Sequence, residues 1–423
     1  MNQHSAIAEA HKPLMTDRRV ALLGALLAGI GPVSMALFTP AMEELVHVFG
    51  TSESAIKLTL SSYFAGFAFA QLFVGPISDA LGRKPVTYAF MGIYLAASLL
   101  AFVAPTVETL IVARLLQGVG AAAGIAISRA LVRDLFTGER SARIMNVIGL
   151  ILGIGPAASP TLGGILMEAF GWHAIFIAMV VMGIAIILAT RYLMVETVAR
   201  DVTRLRPTAL ARSYGELVRS RYFMASSLAL GGAIGALYAV AVILPFILMG
   251  RLGLTPSQFG FGMLLQSGLF FSGSLVVARL LRHHNSKKLV PFGLVLQGLA
   301  SAFLVGHMLL RAGDPGFLAV MLPIGVYAFG IAFVMPAMTT AALAPFPHMA
   351  GAASSLSGFM QMGTGLVGGL AASVIGDPIL ALGTVIPAMG VLAITSWLVW
   401  RSCPEPVLAR VAAPHPPAEP PTL

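Results

Sequence analysis

The chain reads as an all-α integral membrane protein, with twelve transmembrane helices in two six-helix halves. Three observations predict this. Of 423 residues, 57% are hydrophobic and only 10% are charged, and the mean hydropathy is +0.89. A soluble domain carries about 25% charged residues, so this chain could not cover its surface in water. Apolar runs near the ~20 residues needed to cross a bilayer recur twelve times between charged and Pro/Gly breaks. Finally, the basic residues gather on one side of that pattern.

In the first half the runs cover 20–39, 55–78, 85–104, 108–131, 142–167 and 174–193. In the second half they cover 223–249, 258–280, 289–310, 317–338, 351–374 and 379–400. The opening stretch from Val20 to Phe38 exceeds the ~7–15 residues of a signal-peptide core, so it reads as an uncleaved first span. With a cytoplasmic N-terminus, twenty-two of the 26 Lys and Arg residues fall on the cytoplasmic side. Only Lys57, Arg251 and Arg311 fall outside, and Arg114 lies within a span. Positive residues stay inside during insertion, so both termini are predicted to be cytoplasmic. The net charge of +9 is then a topology signal, and no nucleic-acid partner is predicted.

The longest loop, 194–222, is basic and non-periodic. It divides the chain into a half at 1–193 and a half at 223–400, followed by a Pro/Ala-rich tail at 401–423 predicted to be disordered. Glycines of span 5, from Gly155-Pro156 to Gly163-Gly164, have an echo in span 11 at Gly363, Gly365, Gly368 and Gly369. Parallel six-span repeats with a site between them near the midplane are a transporter architecture. The single cysteine, Cys403, excludes an internal disulfide and argues against a cysteine-ligated metal; no metal or cofactor is predicted. No H-E-x-x-H or G-x-S-x-G occurs, and no lysine follows a glycine as a nucleotide-binding P-loop requires. Neither an enzyme nor a nucleotide-driven pump is predicted. There is no oligomerisation signal, so a monomer is the expectation.

Residues Gly75-Pro-Ile-Ser-Asp79-Ala-Leu-Gly82-Arg83-Lys84 follow span 2. Gly75 permits close helix approach, Gly82 suits a tight turn, and Asp79 could face a helix N-terminus; a solvated charged loop is the alternative. The segment resembles the G-x-x-x-D-x-x-G-R-R/K signature of the major facilitator superfamily. That resemblance implies that Asp79 meets the start of span 11 and latches the cytoplasmic side, and that Arg83 pairs with Asp134 at the end of span 4. Arg114-Leu-Leu-Gln117-Gly118-Val-Gly120 is similar to the superfamily's R-x-x-Q-G-x-G motif. Arg114 lies about 9 Å into span 4 at 1.5 Å per residue, where a charge costs at least ~2.5 kcal/mol. The resemblance implies hydrogen bonding toward span 1 and a part in proton coupling; snorkelling to the headgroups is the alternative. Gly149, Gly153, Gly155, Pro156, Pro160, Gly163 and Gly164 of span 5 resemble the superfamily's antiporter motif, which implies a hinge or a seal against proton leak. Generic small-residue packing would use the same glycines.

Ser128-Arg129-Ala-Leu-Val-Arg133-Asp134, Gly171-Trp172-His173-Ala-Ile-Phe176 and Gly351-Ala-Ala-Ser354-Ser355-Leu-Ser-Gly358 look like the Bcr/CflA-type drug-resistance branch. This implies export of small amphipathic drugs by proton antiport with alternating access, in a bacterial inner membrane. An exporter or facilitator of an endogenous metabolite is the alternative. One position departs from the branch: the aspartate often found four residues before a span 1 proline is Ala36 here, ahead of Pro40. Candidate proton carriers are therefore Glu43 or Glu44, His307, or Asp79 with Arg83 and Asp134; otherwise the drug carries the proton difference. The superfamily's cavity between spans 1, 4, 7 and 10 would be lined here by Met35, Phe38, Arg114, Gln117, Tyr238, Phe246, Tyr327 and Phe333. Without a cavity carboxylate, neutral phenicol-like compounds are expected over quaternary ammoniums.

Overall fold

The computed structural model describes residues 14–204, 207–310 and 316–404. Among the described residues, twelve helices are long and apolar enough to cross a membrane. Spans 1–6 are Asp17–Val48, Glu53–Leu81, Arg83–Phe102, Val107–Leu135, Gly138–Phe170 and His173–Leu193. Spans 7–12 are Arg221–Arg251, Pro256–Leu280, Ser286–Leu309, Phe317–Leu343, Pro347–Ile375 and Pro378–Ser402. Several starts are set by side chains that accept an orphan helix N–H: Ser52, Thr106, Ser220 and Asp377 each do so. Thr255 and Gln258 form a reciprocal capping box at span 8.

Span 1 continues to Val48 instead of stopping near 39. Pro40 sits in the first turn of a 3₁₀ segment, Thr39–Ala41, where its missing N–H costs nothing. Thr39 Oγ1 donates to the Ala36 carbonyl at 2.8 Å, and helix resumes at Met42. The linker at 194–222 also differs from the non-periodic loop expected. It holds a helix, Pro207–Arg219, because Tyr214 and Leu217 stand one turn apart and share a face. Leu217 is buried beside Phe223 and Phe346, and Tyr214 Oη donates to the Leu72 carbonyl at 2.6 Å. Span 12 runs on to Ser402; residues 405–423 of the expected tail lie outside the described residues.

One core gathers side chains of spans 1–6, among them Leu27, Phe67, Leu131 and Phe176. A second gathers those of spans 7–12, among them Leu230, Ile243, Met321 and Ile386. The two groups meet along spans 2 and 11 and along spans 5 and 8. The glycine echo has a packing meaning here. A Cβ on Gly163 would lie 2.4 Å from the Leu37 carbonyl of span 1, and one on Gly164 2.1 Å from the Pro256 carbonyl of span 8. In span 11, Gly368 faces Ala239 of span 7 while Gly369 faces Ser61 of span 2. In each pair the first glycine seats the helix on its own group and the second seats it on the other.

Candidate functional site

The signature at 75–84 is not a loop. Span 2 reaches Leu81 and span 3 starts at Arg83, leaving Gly82 alone between them with φ +99°. A Cβ on Gly82 would also lie 2.8 Å from Glu196 Oε2. Arg83 is 2% exposed. Its guanidinium pairs with Asp79 one turn back. It also donates from Nε to Asp134 Oδ2 at 3.0 Å and from Nη1 to Ser78 Oγ at 2.6 Å. Thr197 Oγ1 donates to the same Asp134 oxygen at 3.0 Å. Glu196 completes the corner: its carboxylate accepts the backbone N–H of Arg83 at 2.8 Å and of Lys84 at 2.9 Å. Lys84 Nζ in turn donates to the carbonyls of Arg191 and Met194, at 3.3 and 3.0 Å. An acid thus sits at the start of span 3 and a base at the end of span 6, as the helix dipoles favour. Glu196 belongs to none of the motifs; its one signal is being an acid in a basic stretch just past span 6.

Asp79 has its second neighbour in Arg133, 4.0 Å away. Among the described residues it makes no bond to span 11. The contact with span 11 at this corner is instead Arg129 Nη1 donating to Ser354 Oγ at 3.0 Å. Breaking a buried pair on one side strands the other charge, at about 3–5 kcal/mol. Arg83→Leu is therefore expected to destabilise the purified protein by about 3 kcal/mol, and Asp134→Asn by less because Asp134 is more exposed. Thermal unfolding in detergent checks this; a melting temperature for Arg83→Leu equal to wild type would refute it.

Deeper in span 4, Arg114 and Gln117 are both 0% exposed. Arg114 Nη1 donates to Gln117 Oε1 at 2.6 Å, and Gln117 Nε2 donates to Ser98 Oγ of span 3 at 2.8 Å. Met179 Sδ of span 6 lies 3.8 Å from Nη1. The guanidinium is held between two rings, Phe38 at 4.3 Å and Tyr63 at 4.5 Å. Each desolvated cation–π contact contributes about 2 kcal/mol. Tyr63 Oη donates to the Gly31 carbonyl at 2.9 Å, and Ser34 Oγ and Tyr94 Oη share a hydrogen at 2.6 Å. Spans 1, 2, 3, 4 and 6 therefore converge on one buried cation. No carboxylate lies within ion-pair distance of it among the described residues. Arg114 Nε and Nη2 are buried without a partner, so the snorkelling alternative is excluded in this conformation.

A family model described as "Major Facilitator Superfamily" matches residues 21–372. The chain belongs to the major facilitator superfamily. It is a multi-pass membrane transporter, not an enzyme. Among its relatives is the uncharacterised MFS-type transporter YdgK of Bacillus subtilis, 29% identical over 86% of this chain and 90% of the relative. Multidrug resistance protein D of Escherichia coli is 26% identical over 89% and 94%. The bicyclomycin resistance protein homolog of Haemophilus influenzae is 26% identical over 82% and 87%. These relatives are consistent with the Bcr/CflA-type branch. A D-xylose-proton symporter shares the fold with TM-score 0.71, 14% identity, and coverage of 92% of this chain and 98% of that one.

The superfamily cavity residues expected from sequence do not all converge. Phe38 lies on Arg114, and Met35 is half-buried nearby on span 1. Tyr238 faces the other half, its ring 5.4 Å from Phe64 and its Cβ against Gly365. Phe246 is buried, 4.9 Å from Lys57 Nζ. Tyr327 and Phe333 point away from the interface. Tyr327 Oη sits by Gly390 of span 12 and Ser301 of span 9 lines the same spot; Phe333 packs on Phe292 of span 9 at 5.0 Å. Span 10 is apolar around its whole circumference, so no stripe marks its inward face.

The span 5 residues lie on one unbroken helix through Pro156 and Pro160. Gly155 approaches Val33 of span 1, nothing lies within 4 Å of a Cβ on Gly149, and the Gly153 side-chain position lies outside the described residues. His307 is half-buried near one end of span 9, two residues before Leu309. Glu44 is exposed. Glu43 is half-buried against Gly250, whose Cβ would lie 3.1 Å from both carboxylate oxygens, and Glu43 Oε2 is buried with no hydrogen-bond partner.

Proposed function

We propose that this transporter exports small amphipathic drugs by proton antiport, the two halves alternately exposing a site near the bilayer midplane to either side. The observation that carries the reading is the Arg114 assembly. A desolvated cation with two unpartnered donor nitrogens, aromatic faces and no acid favours neutral or acceptor-rich ligands over quaternary ammoniums. Two of the relatives are named for drug resistance. The basic end, bearing Arg83, Lys84, Arg129 and Arg133, lies in the cytoplasm by the positive-inside rule, which puts both termini inside, and the membrane is the bacterial inner membrane. The end bearing Glu43 and Lys57 is the external end. Arg83, Asp79 and Asp134 brace the cytoplasmic corner. The span 5 glycines let spans 1 and 8 slide against it, as a hinge between 1–193 and 223–400.

With Ala36 in place of an acid, the proton is carried by Glu43. Its half-buried carboxylate packs against Gly250 of the other half, and an oxygen buried without a donor fits the protonated form. His47 at 4.0 Å and Glu53 and Lys57 of span 2 are the charges around it. The test uses everted membrane vesicles holding a preformed pH gradient. A neutral phenicol should collapse the gradient, a cationic dye should do so less, and a control solute not at all. Glu43→Gln should abolish the collapse while labelled drug still equilibrates. Full proton release by folded Glu43→Gln would remove Glu43 from the mechanism. Drug equilibration without proton movement by the wild type would make the protein a facilitator.

A further inference from the structure

Lys57 stands near the start of span 2 and is placed by the sequence on the external side. The structure buries it completely, at 0% exposure. Its ammonium has three directions to satisfy, and each is filled. Nζ donates to Glu53 Oε2 one turn back at 3.1 Å. It donates to the Gly376 carbonyl at 2.6 Å, and it lies 4.9 Å from the Phe246 ring centroid. Gly376 is the residue that ends span 11, with φ +77°. Lys57 therefore caps the C-terminus of a helix in the other half, where the dipole and the free carbonyls favour a cation. Beside it, Ser54 Oγ donates to the Ser373 carbonyl of the same last turn at 2.7 Å.

Span 2 thus carries an oppositely signed group near each end of span 11: Lys57 at its C-terminus and Asp79 toward its N-terminus. Both signs match the helix dipole. Only one is engaged here, since Asp79 is turned to Arg83 and Arg133. The Lys57 contacts cross between the halves, so separating spans 2 and 11 at this end must break them. The stranded ammonium would then have to be rehydrated.

We infer that Lys57 is the lock that holds this end of the transporter closed, by capping the last turn of span 11. The inference rests on alternating access but not on the drug, the proton or the orientation in the membrane. It deals with the opposite event to the Asp79 contact: under alternating access the Lys57 cap opens only once the other end has closed.

The test is independent of transport. In purified protein with Cys403→Ser, Ser373→Cys places one reporter thiol beneath the cap. The substitution leaves the Ser373 carbonyl, and hence the Ser54 bond, unchanged. A charged maleimide in detergent solution reaches the thiol only when this end opens. Lys57→Met keeps the stem on Phe246 and removes the cap; it is expected to raise the labelling rate at least about fivefold, as a lost charge-assisted bond implies. Lys57→Gln, which is shorter and neutral, should give a rise if the methionine variant does not purify. Glu53→Gln leaves the Gly376 bond in place and should change the rate less than either. Labelling of a monodisperse Lys57 variant at the wild-type rate would overturn the lock, and so would Glu53→Gln matching Lys57→Met. Failure of drug-driven proton exchange would leave these rates untouched, so the two ideas fail separately.

Discussion

Arg114→Met should reduce drug-driven proton exchange at least tenfold, about 1.4 kcal/mol of lost function, while the purified protein melts near the wild-type temperature. The two halves of that expectation have separate reasons. Function goes because the guanidinium is the only charge among the described residues at the point where spans 1, 2, 3, 4 and 6 converge, and its free Nε and Nη2 are the donors available there to a ligand. Stability stays because the cation has no counter-ion to strand. Replacing a buried charge by an apolar side chain of similar length is often neutral or favourable. Loss of the Phe38 and Tyr63 stacking is offset by removing the desolvation penalty, and only Gln117 Oε1 loses its donor. Arg114→Lys should fail almost as badly, since an ammonium cannot stack flat between two rings and reach Gln117 at once. The measurement pairs vesicle proton flux with thermal unfolding of the same preparation. Wild-type flux from Arg114→Met would end the coupling role, and a collapse in melting temperature would make the residue structural.

How much of this was legible beforehand depended on what kind of signal each residue leaves. Twelve spans are written in bulk hydropathy, which averages over a whole helix and so survives local irregularities such as Pro40. Their ends are not, because a 3₁₀ turn can carry a proline and let helix resume at Met42. Arg114 and Arg83 stood out because a charge in an apolar run, or a basic pair after a glycine turn, is rare. Lys57 did not: five residues into a span, one turn after Glu53, it has the pattern of a surface i, i+4 pair, and its burial comes from Phe246 of span 7 and Gly376 at the end of span 11, both far along the chain. Glu196 was hidden in the same way by its partners at Arg83 and Lys84. Tyr327 and Phe333 illustrate a third limit. Facing direction is read from amphipathic phase, and a helix enclosed on all sides has none.

The second large effect concerns Gly118, which the R-x-x-Q-G-x-G motif groups with the coupling residues but whose geometry assigns a packing task. A Cβ on Gly118 would lie 2.1 Å from the Tyr63 carbonyl, and one on Gly66 of span 2 would lie 2.0 Å from the Leu115 carbonyl. The two helices touch backbone to backbone through these reciprocal glycines. Real Cβ atoms do not approach a carbonyl oxygen so closely, and backbone cannot rotate aside as a side chain can. Gly118→Ala should therefore separate spans 2 and 4 and destabilise the protein by about 3 kcal/mol, the upper end for overpacking. It should also carry Tyr63 away from Arg114 and so lower transport as a consequence. Gly92→Ala in span 3 is the control, because nothing lies within 4 Å of its Cβ. There the helix propensity of alanine should stabilise slightly, by up to about 1 kcal/mol. Thermal unfolding separates the roles. If Gly118→Ala melts with the wild type yet loses transport, the glycine acts in coupling; if it melts early and Gly92→Ala does not, span 4 needs Gly118 to reach span 2 at all.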